Sequence, residues 1–162
     1  MRAVITGLAV CFLSVPAFAQ QAATPAAGRT MVSAADVTAL IAKAKVDRKE
    51  GQALLAQSMI QLAPYNVSLE YRAAVANAAV HDKEAELFYV VDGSATLVTG
   101  GKLKEEKRTN ADNSSGSGIE GGVTRHVAKG DFIMVPEGTP HWFSAIDGTV
   151  VLMSLHLPRA KQ

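Results

Sequence analysis

Between Tyr65 and Arg72 apolar and polar residues alternate, with Tyr65, Val67, Leu69 and Tyr71 falling on one face. A period of two is that of a half-buried β-strand. Further short stretches rich in strand formers run from Ala76 to His81, Glu86 to Val91, Ala95 to Thr99, Val123 to Val127, Asp131 to Val135, Trp142 to Ala145 and Val150 to Leu157. Turn residues separate them at Asp92-Gly93, Gly100-Gly101, Lys129-Gly130, Pro136-Glu137-Gly138 and Asp147-Gly148. Many short strands at close spacing predict an all-β antiparallel sandwich or barrel. The run holding Leu54-Leu55 and Met59-Ile60 fits helix or strand.

One helix stands apart from this pattern. Ser33-Ala34-Ala35-Asp36 supplies an N-cap with an acid at the capping-box position, and Val37, Leu40, Ile41 and Ala44 recur at helical spacing. The spacing predicts an amphipathic helix from about Ala34 to Val46, packed on the outside of the domain. Gln20 to Thr30 has no apolar periodicity and reads as a flexible lead. Lys102 to Arg108 is strongly charged and Asn110 to Gly122 is rich in Asn, Ser and Gly, which predicts a long loop over residues 102–122. Nothing in it is chemically distinctive, so a solvated hairpin tip is the reading taken over a mobile lid.

The N-terminus changes the picture. Met1-Arg2 is positive, Ala3 to Ala19 is almost wholly apolar, and Ala17-Phe18-Ala19 has the small-x-small form of a signal-peptidase site. The bulky Val10 before Cys11 argues against a lipidation site. The expected organisation is a signal peptide (residues 1–19), a flexible lead (20–32), the N-terminal helix region (33–50) and one barrel domain (51–162), in a protein exported to the periplasm. Cleavage removes Cys11, the only cysteine, so no disulfide is expected. It also removes Arg2, leaving fifteen basic side chains against fifteen acidic ones. That balance gives no electrostatic reason to expect a nucleic acid or, after cleavage, a membrane as partner.

Without cysteine, metal-binding chemistry must come from histidine and carboxylate, and the chain has four histidines: His81, His126, His141 and His156. Asp82 to Ala85 is too polar to continue a buried strand, so His81 is expected to close one strand and Glu86 to open its antiparallel neighbour. Alternation puts Phe88 and Val90 on the face of Glu86, and a carboxylate on an apolar face is costly unless paired or bound to metal. After the rigid Pro136-Glu137-Gly138 turn, His141 begins a strand that carries Phe143 and Ala145 on the same face. His81, Glu86 and His141 are therefore the candidate ligands. Two histidines and one carboxylate leave coordination positions open for water or substrate.

These two segments carry a family resemblance. The chain resembles the cupin superfamily, whose motifs are written G-x5-H-x-H-x3–4-E-x6-G and G-x5-P-x-G-x2-H-x3-N. The second motif is met at Gly130, Pro136, Gly138 and His141, with Ala145 in place of its asparagine; the first is met at His81, Glu86 and Gly93, with Ala73 at its opening glycine and Ala79 at its earlier histidine. The resemblance covers about Leu54 to Leu157. It implies a double-stranded β-helix, the jelly-roll cupin barrel, with one divalent metal ion near its centre. The remaining ligand set looks like the two-histidine, one-carboxylate set that many cupin-like oxygenases use for iron; Mn, Zn, Ni or Co fit equally.

Phe88, Met134 and Phe143 are expected to line the pocket, with Tyr71 and His156 as further lining residues. Tyr65 and Tyr71 fit the cavity face, whereas Tyr89 is out of phase with Glu86. Arg72 and Arg125 fit either a substrate carboxylate or salt bridges to Glu70 and Glu120, and His126 reads as a surface residue. The function expected is that of an exported metal-dependent enzyme acting on a small oxygenated molecule, of dioxygenase, isomerase or lyase type. The alternative is a non-catalytic small-ligand or metal-binding module. A homodimer is left open.

Overall fold

A computed structural model describes residues 29–159. The expected signal peptide and most of the lead lie outside the described residues. Helix α1 (Ala34–Asp47) begins where its capping box closes: Ser33 Oγ accepts from the Asp36 backbone N–H at 3.2 Å, and Asp36 Oδ2 accepts from the Ser33 N–H at 2.9 Å. No helix among the described residues is long and apolar enough to cross a membrane.

The rest is strand. β1 (Leu54–Leu62) and β2 (Tyr65–Arg72) form a hairpin, which settles the ambiguous run at Leu54 as strand. β3 (Ala78–His81) and β4 (Glu84–Thr99) follow, then β5 (Lys102–Lys104), β6 (Lys107–Arg108), β7 (Asn113–Gly116) and β8 (Gly118–Glu120). β9 (Val123–Ala128), β10 (Phe132–Val135) and β11 (His141–Pro158) complete the barrel. The expected loop over 102–122 is thus largely strand. β7 pairs with β3 from Ala78↔Gly116 to His81↔Asn113, and β5 pairs with β8. Its small Ser and Gly side chains hid a segment held by backbone pairing, with Ser114 and Ile119 buried.

The expected turns at Asp92-Gly93 and Asp147-Gly148 are bends inside two long strands. β4 and β11 pair antiparallel from His141↔Thr99 to Pro158↔Glu84, and their register breaks beside these glycines, between Ile146 and Val150 and between Val151 and Leu152. Gly93 and Gly148 have φ of 78° and 75°, a region that carries no Cβ penalty for glycine, so each strand bends at a bulge instead of reversing.

The bend carries both strands from one layer into a facing one. β1, β2, the second half of β11, the first half of β4 and β10 form one layer; the first half of β11, the second half of β4, β9, β3, β7 and β6 form the other. Phe88 therefore meets Phe143 edge-on across the interior, centroids 5.4 Å apart, although register places them opposite Ser154 and Leu97. Phe88, Val90, Leu97, Val135, Phe143, Val150 and Leu152 fill the space between the layers. This is the jelly-roll barrel expected from the sequence.

α1 covers the outer face of the first layer. Val37, Leu40 and Ile41 pack against a cluster of Ala44, Met59, Leu69, Tyr71 and Val151, and Gln57 Nε2 donates to Leu40 O at 2.9 Å. Tyr71, expected in the pocket, is therefore buried under the helix, and Tyr65 is 48% exposed. The apolar face of β2 looks outward because the helix covers it there. Its polar face looks inward, where Arg72 pairs with Glu70 at 2.7 Å and lies 4.6 Å over the Phe143 ring. Met134 is a second correction: it is 50% exposed, since β10 turns Ile133 and Val135 inward and Phe132 and Met134 outward.

Candidate metal centre

Glu86 is the third residue of β4, its side chain turned inward, and only 3% of the residue is exposed. His81 ends β3 and His141 begins β11, both in the opposite layer, so the two histidines reach Glu86 across the barrel. The expectation that His81 and Glu86 sit on paired neighbouring strands is corrected. β3 pairs with β7 and β11, whereas β4 pairs with β9, β10 and β11. Asp82-Lys83 crosses between layers, and the two side chains meet face to face.

The distances define a tight cluster. His141 Nε2 lies 3.1 Å and His81 Nε2 3.3 Å from Glu86 Oε2, while His156 Nε2 lies 3.4 Å from Glu86 Oε1. Donor atoms of His81, Glu86 and His156 all lie within 4.8 Å of one another, a group that does not include the expected ligand His141, which joins the cluster through Glu86. His156 sits on the second half of β11, directly opposite Glu86 in register. Phe88 and Phe143 form an apolar wall, with the Phe88 ring 5.9 Å from that of His141. His126 is exposed near Asp147, and Arg125 bonds Thr99 Oγ1, both away from the cluster.

Each imidazole has its other nitrogen on an acceptor. His81 Nδ1 donates to Asn113 Oδ1 at 2.7 Å, His141 Nδ1 to Thr139 O at 3.3 Å, and His156 Nδ1 to Glu84 Oε2 at 3.0 Å. An Nδ1–H so engaged leaves the Nε2 lone pair aimed at the carboxylate, the tautomer and orientation that metal-bound histidines adopt. Ser154 Oγ donates to Glu86 Oε1 at 2.5 Å and fixes the carboxylate. Asn113, Glu84 and Ser154 are the supporting residues that sequence reasoning missed. Asn113 lay inside the presumed loop, Glu84 read as surface charge, and Ser154 was one serine in a long apolar strand.

Facing Nε2 lone pairs and carboxylate oxygens repel unless a cation lies between them, and the donor set suits a divalent ion. In metal-free protein, protons take that role. Burial alone would push the Glu86 carboxyl up, but hydrogen bonds from His141 and His81, the charge of His141 and the Ser154 hydroxyl hold it well below the usual carboxylate range. Burial likewise lowers His81, yet its bonds to Glu86 and Asn113 leave it raised above its ordinary value. Access is one-sided: the His81 and His156 side chains are 19% and 26% exposed, against 6% for His141.

A family model described as Cupin matches residues 52–158, more than half of the chain. The chain belongs to the cupin family. Among solved structures, the chain is similar to the BH2720 protein of Bacillus halodurans, with a TM-score of 0.53 and 14% identity over 83% of this chain and 85% of that one. It is also similar to FeII HppE, with a TM-score of 0.51 and 15% identity over 68% of this chain; it spans about half of that protein, 54%. KdgF from Halomonas gives a TM-score of 0.49 and 15% identity, covering 70% of this chain and 86% of that protein. At these identities the likeness concerns the cupin fold. No curated protein matches the chain.

Proposed function

We propose that this cupin is an exported, metal-dependent enzyme acting on a small oxygenated molecule, with His81, Glu86 and His141 as ligands of one divalent ion. The observation that carries the reading is the buried Glu86 carboxylate, faced by imidazole Nε2 atoms whose Nδ1 partners are already engaged. An ion held there supplies Lewis acidity toward a bound oxygen. The chain's own residues do the remainder: Ser154 and Asn113 fix the ligands, Phe88 and Phe143 close the inner side against water, and the His81 and His156 side admits the ligand. Export rests on the apolar Ala3 to Ala19 segment and its Ala17-Phe18-Ala19 end.

The alternative, a non-catalytic module that carries a small ligand or metal, is favoured by the tyrosines. Tyr71 lies under the helix and Tyr65 and Tyr89 are exposed, so none of them offers an acid or base at the cluster. The two readings separate on turnover. Metal-loaded protein is incubated with small phenols, keto acids and sugars while oxygen uptake and product formation are followed. Conversion of one class, lost in Glu86→Gln, supports the enzyme. Tight binding of a ligand without conversion supports the module. N-terminal sequencing of protein recovered from the periplasm of a bacterial host is expected to begin at Gln20; retention of Met1 in the cytoplasm would contradict export.

A further inference from the structure

His156 lies on a different strand from the other candidate ligands, yet its ring is held as theirs are. It stands edge-on to His81 with centroids 4.8 Å apart, and its Nε2 is 3.4 Å from Glu86 Oε1. Its tautomer is fixed more firmly than that of His81. An amide such as Asn113 can present oxygen or nitrogen to its neighbour, but the Glu84 carboxylate only accepts, so His156 Nδ1 must donate to it at 3.0 Å. Its Nε2 is left facing a carboxylate oxygen, a contact that a proton fills in metal-free protein and a shared metal ion would fill in its place. On the opposite wall, Ala79 lies two residues before His81 on the same face of β3, directly across from His141, and offers no donor.

Resting on the reading of this cluster as a metal centre, we propose that His156 is itself a ligand of the ion, supplying from the last strand the imidazole that position 79 lacks. Glu84 is its positioning residue. The ion would then be held by three imidazoles and one carboxylate, two of the four donors coming from the two ends of β11. With that set, a ligand would reach the ion from the side of His81 and His156, whose side chains are partly exposed.

The test uses Co(II) as probe on the full exported chain. Calorimetric titration of wild type, His156→Ala, Glu84→Gln and the double variant Ala79→His/His156→Ala gives affinities. Proton NMR of the Co(II) protein counts the hyperfine-shifted imidazole N–H signals. His156→Ala is expected to bind Co(II) about tenfold or more weaker and to show one shifted N–H signal fewer than wild type, with Glu84→Gln weakened about 10–100-fold. Ala79→His is expected to restore both affinity and the missing signal in the His156→Ala background. Circular dichroism melts of the metal-free variants control for folding. Wild-type affinity and an unchanged signal count in His156→Ala would overturn the proposal while leaving the centre of His81, Glu86 and His141 intact. Failure of the wild type to bind Co(II) would overturn both.

Discussion

Ser154 Oγ donates to Glu86 Oε1 at 2.5 Å, joining a serine that is 1% exposed to a carboxylate that is 3% exposed. The contact ties the second half of β11 to the start of β4 at the point where the candidate ligands converge. Ser154→Ala removes the donor and leaves a buried carboxylate oxygen short of one partner. The expected loss is about 1–3 kcal/mol of metal-free stability and about 10–100-fold in metal affinity. Thermal melts and metal titration of the variant check both.

Asn113 acts on the centre from further out. Its Oδ1 accepts from His81 Nδ1 at 2.7 Å and so turns the ring. Asn113→Leu keeps the volume but frees the imidazole. Metal affinity is expected to fall about 10–100-fold while metal-free stability changes by only about 1 kcal/mol. Equal affinity in this variant and the wild type would remove Asn113 from the site.

The metal-free protein should carry a pH signature. His81 is raised above 6.5, so its contribution to stability is complete below that value and is lost as pH rises through its folded pKa. Glu86 is lowered below 4.5, so its contribution is complete above that value and is lost as pH falls toward its folded pKa. The melting temperature without metal is therefore expected to peak between 4.5 and 6.5. Metal binding needs unprotonated imidazoles, so the gap between loaded and chelator-treated melts should widen above that window. Calorimetric melts across pH, with and without chelator, measure it; a gap that narrows with rising pH would contradict the assignment.

The paired bends can be tested at two glycines. A Cβ at Gly93 would stand 2.0 Å from Thr149 O, whereas one at Gly148 would meet nothing within 4 Å. Both have positive φ, so both alanine variants carry the backbone penalty, about 1 kcal/mol, but only Gly93→Ala adds a backbone clash. Gly93→Ala is expected to cost at least about 3 kcal/mol or to prevent folding. Urea melts that show equal losses for the two variants would contradict the close approach of β4 to β11.

Much of this was legible in the chain. Alternation from Tyr65 to Tyr71 marked β2 to the residue, the Ser33 capping box marked the start of α1, and the spacing of His81, Glu86, Gly93, Gly130, Pro136, Gly138 and His141 marked the family. What alternation could not say was which side of a strand was inside. On β2 the apolar face met the helix and the Glu70–Arg72 pair took the interior, which misplaced Tyr71. Asp-Gly dipeptides signal reversal and bulge alike, so β4 and β11 each read as two strands. Asn113 and Ser154 gave no local signal at all, because their roles depend on residues 32 and 68 positions away in the chain.

The proposed centre requires one divalent ion held around Glu86. Elemental analysis of protein loaded anaerobically and then freed of loosely bound metal decides it most directly. About one ion per wild-type chain is expected, and almost none in folded Glu86→Gln. A metal-free wild type, or a Glu86→Gln variant that keeps a full complement of metal, would contradict it.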